Sequence, residues 1–522
     1  MISYIKFITI MIFLIDCGIL MAQNEVHPDE ITFVRQGVRR YIFNENQQIP
    51  LSLLEPSELI GLPVMHPVTY YADSTINTRI KNGRFLVTSD KKSPSALWFG
   101  GFNPFATYTI DLASFKGLGE IGFDFSDAEN TERFLLTISF ANDSITDVTQ
   151  KIYRQGKTVI DESIAINLDQ VISSDSKKII LQLLGSGLTV YIKNKDLPVA
   201  IGQIDFAEYI DLREKQYLHS LQSNLYINMQ GEILIDKIQS TLSTGVGLAD
   251  IRAITYEDGT PFIDQNRVWY TMTMRGRALP HPLQGVFSLD PTVFDLQFEG
   301  VIVFDRADGL LRNDVASHIF YDRKDSIWRG ITTGFSAFAK PGEKKQLLSV
   351  YSKKDPRFGF SVMKANPLGI EGDIEDPHII YDHQIKKWRI LACENINGYK
   401  AVLMESENWN RGYHKISGPV IHNSTGVSIQ KIGNKRYCFS GSSERKIYIY
   451  SYPDLIEKGI LNIDLPPWNS NSGSRIWPNI IELPADYPFR YISLMMDRFN
   501  YPSIQGPQWS YGAIYLFHGY IR

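Results

Sequence analysis

Acidic residues stand at the start of three apolar segments in the second half of this 522-residue chain. Asp250 lies in ADIRAITYEDG, Asp314 in NDVASHIFYDR, and Glu375 and Asp376 precede a proline in EDPHIIYDHQ. Carboxyl groups that converge in one pocket repel one another when they are ionised, which raises the pKa of at least one of them. Two carboxyl groups with separated pKa values are suited to general acid/base chemistry. Whether these residues converge depends on the fold that carries them.

A long repeat places the acids at equivalent points of the chain. Five segments share a small or acidic start, an apolar strand, a polar turn and an aromatic strand, and their starts are Asp250, Asp314, Asp376, Thr425 and Trp477. Successive starts are 64, 62, 49 and 52 residues apart by subtraction. Repeated units of four short strands are typical of β-propeller blades. The pattern predicts five blades whose innermost strands bring the acidic starts to one central depression, with ILID near residue 233 closing the ring.

The rest of the chain predicts an all-β protein with a second domain before the propeller. Residues 1–23 have the lysine, the apolar stretch and the small-residue site of a secretory signal peptide, so we expect a secreted or periplasmic protein. Within that peptide, Cys17 leaves a lipid anchor as the alternative. Short alternating strands at residues 24–210 predict a β-sandwich. Residues 211–240 predict a linking helix and strand, and residues 241–522 predict the propeller.

The composition excludes several classes of protein. A formal net charge of -4 argues against a nucleic-acid partner, which would require a clearly basic surface. No apolar run after the signal peptide reaches the roughly 20 residues that span a bilayer. Aromatic residues make up 12% of the chain, which suits a large core and also stacking against sugar rings. Cys393 and Cys438 lie in apolar strands without metal-ligand spacing, so we expect two buried thiols and no metal site.

A ring of blade-start acids with a Glu-Asp-Pro motif resembles the five-bladed β-propeller glycoside hydrolases, which include arabinanases, xylosidases and invertase-like fructosidases. The resemblance covers about residues 240–522. It implies that Asp250 is the nucleophile or general base and that Asp314 orients the substrate. It also implies that Glu375 or Asp376 is the general acid. The arabinanase branch places its general acid at the start of blade four, where this chain has STGVSIQ without an acidic residue.

Basic, aromatic and histidine side chains near the blade starts are candidates for binding the substrate. They are Arg252, Arg312, His318, His378, Arg475 and Trp477. Guanidinium groups bind carboxylates and sulfates bidentately, so the arginines favour an anionic sugar. Their alternative role is to neutralise the buried aspartates. The histidines suit sugar hydrogen bonding or a structural role, and the tryptophan suits stacking on a sugar ring.

The sequence therefore predicts an exported glycoside hydrolase that removes a terminal sugar from a plant or algal polysaccharide, with an acidic sugar among the options. Two alternatives stay open. A non-catalytic glycan-binding protein is favoured by the missing acid of blade four, and a phosphorylase or lyase is favoured by the arginines. No cofactor motif is readable. Because propellers of this kind often hold calcium at their axis, the resemblance leaves that one ion open.

Overall fold

The structure is a computed structural model that describes residues 26–55, 71–72, 76–141, 144–164, 177–194, 197–278, 281–335, 342–467, 476–499, 501 and 513–521. The predicted signal peptide, Cys17 and Arg475 lie outside these residues. Within the described residues, no helix has the length and apolar character needed to cross a membrane.

Five four-stranded antiparallel sheets form a β-propeller. The inner strand of each blade contacts the next blade, and the first blade contacts the fifth, so the ring is closed. From the innermost strand to the outermost, blade 1 consists of Gly247–Ala253, Arg267–Ala278, His281–Asp290 and Asp295–Asp305, and blade 2 of Val315–Asp322, Ile327–Thr333, Gln346–Ser352 and Gly359–Glu371. In the same order, blade 3 consists of Ile374–Asp382, Lys387–Asn395, Tyr399–Ser406 and His414–Ser417, and blade 4 of Thr425–Ile432, Lys435–Gly441, Ile447–Ser451 and Glu457–Ile460. Blade 5 consists of Ile480–Glu482, Tyr491–Met496, Ala513–Ile521 and Ile31–Arg40. Short additional strands are Thr255–Tyr256, Ile263–Asp264, Leu311–Arg312 and Asn462–Ile463.

The fifth blade is completed by the strand Ile31–Arg40, which pairs antiparallel with Ala513–Ile521. The prediction that ILID near residue 233 closes the ring is therefore wrong, because Ile233–Ile235 pair with Phe85–Val87 in another sheet. The alternation of the N-terminal strand explains its place, since Ile31 and Phe33 are buried in the core shared by blades 4 and 5. The first described strand and the last one thus hold the ring together.

The second domain is a β-sandwich built from one 13-stranded sheet that wraps around a single apolar core. Its strands are Gln48–Leu54, Tyr71–Ala72, Ile76–Lys81, Arg84–Ser89, Pro94–Gly101, Thr107–Ser126, Arg133–Ala141, Ser144–Arg154, Lys157–Ser163, Lys177–Leu184, Gly187–Lys193, Val199–Asp205 and Gln222–Ser243. In the two longest strands Gly117 faces Gly231, and both have positive φ. A Cβ on Gly117 would lie 2.1 Å from the Gln230 carbonyl oxygen, so the close approach requires glycine. The predicted all-β class, sandwich followed by five-bladed propeller, is confirmed.

The predicted linking helix is much shorter than its apolar spacing suggested. One α-helix, Lys215–Ser220, is present in the described residues, together with the 3₁₀ turns Pro28–Glu30 and Glu45–Gln47. Beyond it the chain enters the long sandwich strand, and Leu225 is fully buried in the sandwich core. Pairing along that strand satisfies more backbone groups than further helical turns would, so tertiary structure overrides the local pattern.

Residues of the linking segment attach the sandwich to the end of blade 1 and to the start of blade 2. Arg213 donates from Nη1 to the Asn313 side chain at 2.6 Å, and its carbonyl oxygen accepts from the Leu311 N–H at 2.9 Å. Lys215 pairs with Asp305 at 2.7 Å. The residues just before the inner strand of blade 2 are therefore held by the neighbouring domain.

We expect Phe33→Ala to lower the free energy of unfolding by about 3–5 kcal/mol, because the ring is 2% exposed in the core of the closing blade. Urea unfolding measures the loss. Val34→Ala is the matched control, since Val34 points outward from the same strand with 46% exposure and should cost roughly 0.5 kcal/mol or less. Equal losses in the two variants would contradict the position of this strand.

Candidate active site

Each of the first four inner strands contains a two-residue β-bulge where it pairs with the second strand of its blade. The pairing registers break between Ala249 and Arg252, and at the same point of blades 2, 3 and 4. The first bulged residue has a positive φ in every case, and these residues are Asp250, Ala316, Asp376 and Gly426, at +52°, +56°, +59° and +60°. Non-glycine residues rarely adopt this conformation, and such bulges occur often beside active sites.

The bulges correct the alignment of the blades. Asp250 and Asp376 are equivalent, as predicted, but the equivalent residue of blade 2 is Ala316. The prediction that Asp314 occupies this position is wrong, because that residue lies two positions before the bulge. Its side chain is fully buried, and both of its oxygens accept from Arg306 Nη2 at 2.8 Å. Asp314 therefore has no access to a substrate and serves as a structural counter-ion.

Asp376 is a buried carboxyl group whose pKa is raised to about 7. Burial is the main cause, and the charges of Glu375 and Asp250 add to it. Oδ2 accepts hydrogen bonds from the Gly426 N–H at 2.9 Å and from the Thr425 hydroxyl at 3.0 Å. These bonds fix the carboxyl group and leave Oδ1 to carry the proton. Asp376 is thus half protonated near neutral pH, as a general acid should be.

Asp250 lies beside Asp376 with its charge paired to a cation. Its Oδ2 accepts from Arg275 Nη2 at 3.0 Å, and its side chain keeps 11% exposure. The two equivalent aspartates therefore differ in environment, one paired with a cation and partly exposed, the other buried and raised in pKa.

Glu375 is held by Lys345, which sequence analysis missed. Lys345 Nζ lies 2.6 Å from a Glu375 oxygen, 2.9 Å from Asp373 and 3.1 Å from the Tyr399 hydroxyl. In sequence, Lys345 belongs to the run GEKKQ, which has the composition of a solvated loop, so its pattern carries no signal of a site. The pairing leaves Glu375 as a fixed negative charge next to Asp376.

A chain of ion pairs connects buried Asp314 to this lysine. Arg306, bound to Asp314, also pairs with Glu343, and Glu343 accepts from Arg312 Nη1 at 2.9 Å. Glu343 lies two residues before Lys345, so the network fixes the short segment that presents the lysine. Asp314 thus acts on the site at a distance, as a positioning residue.

The candidate arginines for an anionic sugar bind groups of the protein itself. Arg312 pairs with Asp308 and Glu343. Arg252 is 3% exposed and donates to the carbonyl oxygens of Val427 and Asp376. These two residues are therefore structural, which corrects their assignment to substrate binding. Arg475, the third arginine of that prediction, lies outside the described residues.

The two candidate histidines stack on each other inside the ring, with ring centroids 3.9 Å apart. Burial lowers the pKa of both well below the usual value for histidine, so both rings are neutral. His318 Nδ1 accepts from the Ile379 N–H at 3.0 Å, which leaves the proton on Nε2, where it is donated to Thr255. His318 and His378 are at most 1% exposed, so they serve the ring rather than a sugar.

Trp477 explains why the fourth blade lacks an acid. Its indole N–H donates to the Ile251 carbonyl oxygen at 2.5 Å, and the side chain is 4% exposed. A Cβ built on Gly426 would lie 2.5 Å from the indole ring. An acidic side chain at Gly426 would therefore collide with Trp477. The tryptophan is packed within the ring, which corrects its assignment as an exposed stacking platform.

A turn of blade 1, residues 255–259 and here named the plug, lies at the opposite ends of the neighbouring inner strands. Thr255–Tyr256 pair with Phe320–Tyr321 of blade 2. The Tyr381 N–H of blade 3 donates to the Glu257 carbonyl oxygen at 2.6 Å. These contacts place the plug at the ends of the inner strands that lie opposite the acids.

The plug also holds a group of potential metal ligands, in which Glu257, Asp258 and His383 bring atoms within 4.8 Å of one another. Arg323 already binds both carboxylates, at 2.7 Å and 2.9 Å. The arginine supplies the positive charge that a metal would otherwise bring. Elsewhere, Cys393 and Cys438 are both buried, as predicted, and neither forms a disulfide within the described residues.

No protein-family model and no curated protein sequence matches this chain. Solved structures do match. A thermostable family-43 glycoside hydrolase is 14% identical over 53% of this chain and 91% of its own, with a TM-score of 0.36. An α-L-arabinofuranosidase from Podospora anserina in complex with cellotriose is 10% identical over 53% and 91%, with a TM-score of 0.34. The carbohydrate-binding module CBM66 from Bacillus subtilis is 15% identical over 32% and 92%, with a TM-score of 0.23. The propeller assignment rests on the strand order of the chain itself.

The raised pKa of Asp376 predicts a pH dependence of stability. Because its folded pKa of about 7 exceeds the unfolded value of roughly 3.9, the folded state binds more protons between these limits. The free energy of unfolding should therefore fall as pH rises from about 4 to 7, by at most ~1.4 kcal/mol per pH unit from this group. Urea unfolding across this pH range measures the slope.

Asp376→Asn should remove that contribution, because an amide does not titrate. Glu394→Gln is the control, since it alters a partly exposed carboxylate paired with Lys415. An unchanged slope in the Asp376→Asn variant would contradict the raised pKa.

Proposed function

We propose that this protein is a glycoside hydrolase that removes a terminal sugar from a complex polysaccharide. The observation that carries the proposal is the pair of equivalent aspartates, Asp250 and Asp376, in contrasting environments. A protonated carboxyl group beside an ionised one is the arrangement that glycosidic bond cleavage requires. Hydrolysis of an acetal needs no cofactor, in keeping with the chemistry of these side chains.

In this proposal Asp376 is the general acid. Its Oδ1 gives a proton to the glycosidic oxygen as the bond to the anomeric carbon breaks, while Oδ2 stays bound to Gly426 and Thr425. Asp250 then either takes a proton from water or attacks the anomeric carbon itself, which are the inverting and retaining outcomes. Arg275 pairs with Asp250 at 3.0 Å and holds its carboxylate in place for either role. Glu375 adds negative charge that favours the developing oxocarbenium ion.

Removal of a terminal sugar, rather than cleavage within a chain, is supported by the plug. The plug packs against the ends of the inner strands opposite the acids, so in this proposal the substrate approaches from the acidic ends alone. A site that is reached from one side accommodates a chain end more readily than the middle of a polymer. The expected product is therefore a monosaccharide, and its release from polysaccharides is the measurement that tests this part.

The identity of the sugar is tested with a panel of pectic and algal polysaccharides and of neutral and uronic glycosides. An acidic terminal sugar stays part of the proposal through Arg475 alone, because Arg252 and Arg312 bind the protein. Activity restricted to neutral glycosides would remove the acidic sugar. Export is likewise part of the proposal, and the N-terminus of the mature protein tests it.

A second candidate is a non-catalytic glycan-binding protein on the same ring. The observation that favours it is the contact between Gly426 and Trp477, which excludes an acidic side chain at the start of blade 4. If the protein is a hydrolase, its catalysis has to use the acids of blades 1 and 3 instead. If glycans bind and no panel member is cleaved, the binding protein replaces the hydrolase.

We expect Asp250→Asn and Asp376→Asn to lower kcat by about 10²–10⁴-fold, because an amide neither attacks nor exchanges a proton. Initial rates on the best substrate of the panel measure the loss, with unfolding curves to show that each variant folds. Glu394→Gln should keep the rate of the wild type, since the Glu394 side chain pairs with Lys415 of the outermost strand of blade 3. Wild-type kcat in either asparagine variant would refute the assignment of roles.

The pH profile gives an independent prediction. Asp376 has to be protonated to act as the acid, and its pKa is about 7. We therefore expect kcat/KM to be constant just below pH 7 and to fall about tenfold per pH unit above it. A profile that keeps rising through pH 9 would assign the general acid to another group.

A further inference from the structure

Arg252 connects four blades at the axis of the propeller. It belongs to blade 1, and its Nη1 donates to the Val427 carbonyl oxygen of blade 4 at 2.8 Å. Its Nη2 donates to the Asp376 carbonyl oxygen of blade 3 at 3.3 Å. The guanidinium carbon lies 5.2 Å from the ring centroid of Trp477, which precedes the inner strand of blade 5. A single cation is thus shared among strands that are remote in sequence.

The charge of Arg252 is enclosed by the protein. Burial lowers its pKa to about 10, so the group stays charged at neutral pH. Among the described residues it forms no ion pair with a carboxylate, and its partners are two carbonyl oxygens and an aromatic face. A buried cation is costly unless dipoles and nearby charges compensate it. The charges of Asp376 and Asp250 supply part of that compensation.

The residues around Arg252 do not fit calcium, the ion that the resemblance left open. Calcium requires six to eight oxygen ligands. The carbonyl oxygens of Val427 and Asp376 accept from the guanidinium group. Both nitrogens of His318 are used, one by the Ile379 N–H and one by Thr255. His378 would offer only nitrogen, and the charge of Arg252 would repel the ion.

We propose that Arg252 is the resident cation of the propeller axis, in the place of a metal ion, and that it positions Asp376 for its role in the pocket. The second half of this statement rests on the proposed function. The guanidinium group binds the backbone of Asp376 and the carbonyl oxygen of Val427, which directly follows Gly426. Because the Gly426 N–H binds the Asp376 carboxyl group, Arg252 fixes both ends of that hydrogen bond.

The first experiment tests whether the folded protein binds a calcium ion, and it needs no substrate. The purified full-length protein is unfolded thermally in EDTA and in calcium chloride, and its calcium content is measured by mass spectrometry. We expect equal midpoints and far less than one calcium ion per chain. A stoichiometric calcium ion that EDTA removes with a loss of several degrees would overturn the proposal, because an ion that binds only the folded state stabilises it.

The second experiment tests the positioning with Arg252→Met and Arg252→Lys. Both variants should unfold at lower temperature than the wild type, the methionine variant more so. Removal of the positive charge should also raise the pKa of Asp376. The falling limb of the profile, which is the part where kcat/KM decreases with pH, should therefore shift to higher pH by roughly one unit in the methionine variant. The lysine variant keeps the charge, and its limb should stay closer to that of the wild type.

Arg357→Met is the matched control, since Arg357 is another buried arginine that lies over aromatic rings but outside the axis. It should lower the unfolding midpoint and leave the limb in place. An unchanged limb in Arg252→Met overturns the positioning role. If no glycoside is cleaved, the same shift is sought in the pH dependence of unfolding, so failure of the proposed function is separated from failure of this proposal. If the methionine variant does not fold, Arg252→Gln, which also removes the positive charge, takes its place in this measurement.

Discussion

The pocket depends on a single backbone feature, the two-residue bulge at the start of each of the first four inner strands. A regular strand alternates its side chains between two faces, so one residue of an adjacent pair would point away from the axis. The bulge breaks this alternation through a residue in the left-handed region, and it directs Asp250 and Asp376 into the same space. The conformation costs energy at a non-glycine residue, which the surrounding ring has to supply. Ala316 and Gly426 keep the same backbone in the blades that bring no carboxyl group.

The ring contains more buried acidic residues than could take part in a reaction. Their ion-pair partners distinguish the structural carboxylates from those that could react. The carboxylates of Asp314 and Glu343 are bound by arginines. The carboxyl group of Asp376 is buried and receives hydrogen bonds from the neutral donors Gly426 and Thr425. Burial is the main cause of its raised pKa, and the charges of Glu375 and Asp250 add to it. These acidic residues all lie near the axis, but their different partners indicate different roles.

Sequence reasoning reached the architecture because the repeat of short strands is a long-range regularity visible in a single chain. It also found Asp250 and Asp376, whose positions coincide with the start of the repeat. It placed Asp314 at the position that Ala316 occupies. The spacing between repeats varies by more than two residues, so the sequence alone did not distinguish the two positions. Lys345 was out of reach, since its contact with Glu375 is made across a loop and leaves no pattern. The roles of Arg252 and Trp477 likewise required the packing inside the ring.

The pairing of Ile31–Arg40 with Ala513–Ile521 makes the sandwich a nested domain rather than an appended one. Along the sequence, one strand of the last blade comes first, the whole sandwich follows, and the remaining strands of the propeller come after the sandwich. Ring closure therefore joins segments separated by most of the chain, which is a contact of very high sequence separation and one that forms slowly. During synthesis the first strand has to wait, unpaired, for the last. A deletion of the N-terminal half would remove the outermost strand of the fifth blade, so the propeller needs residues from both ends of the chain to fold.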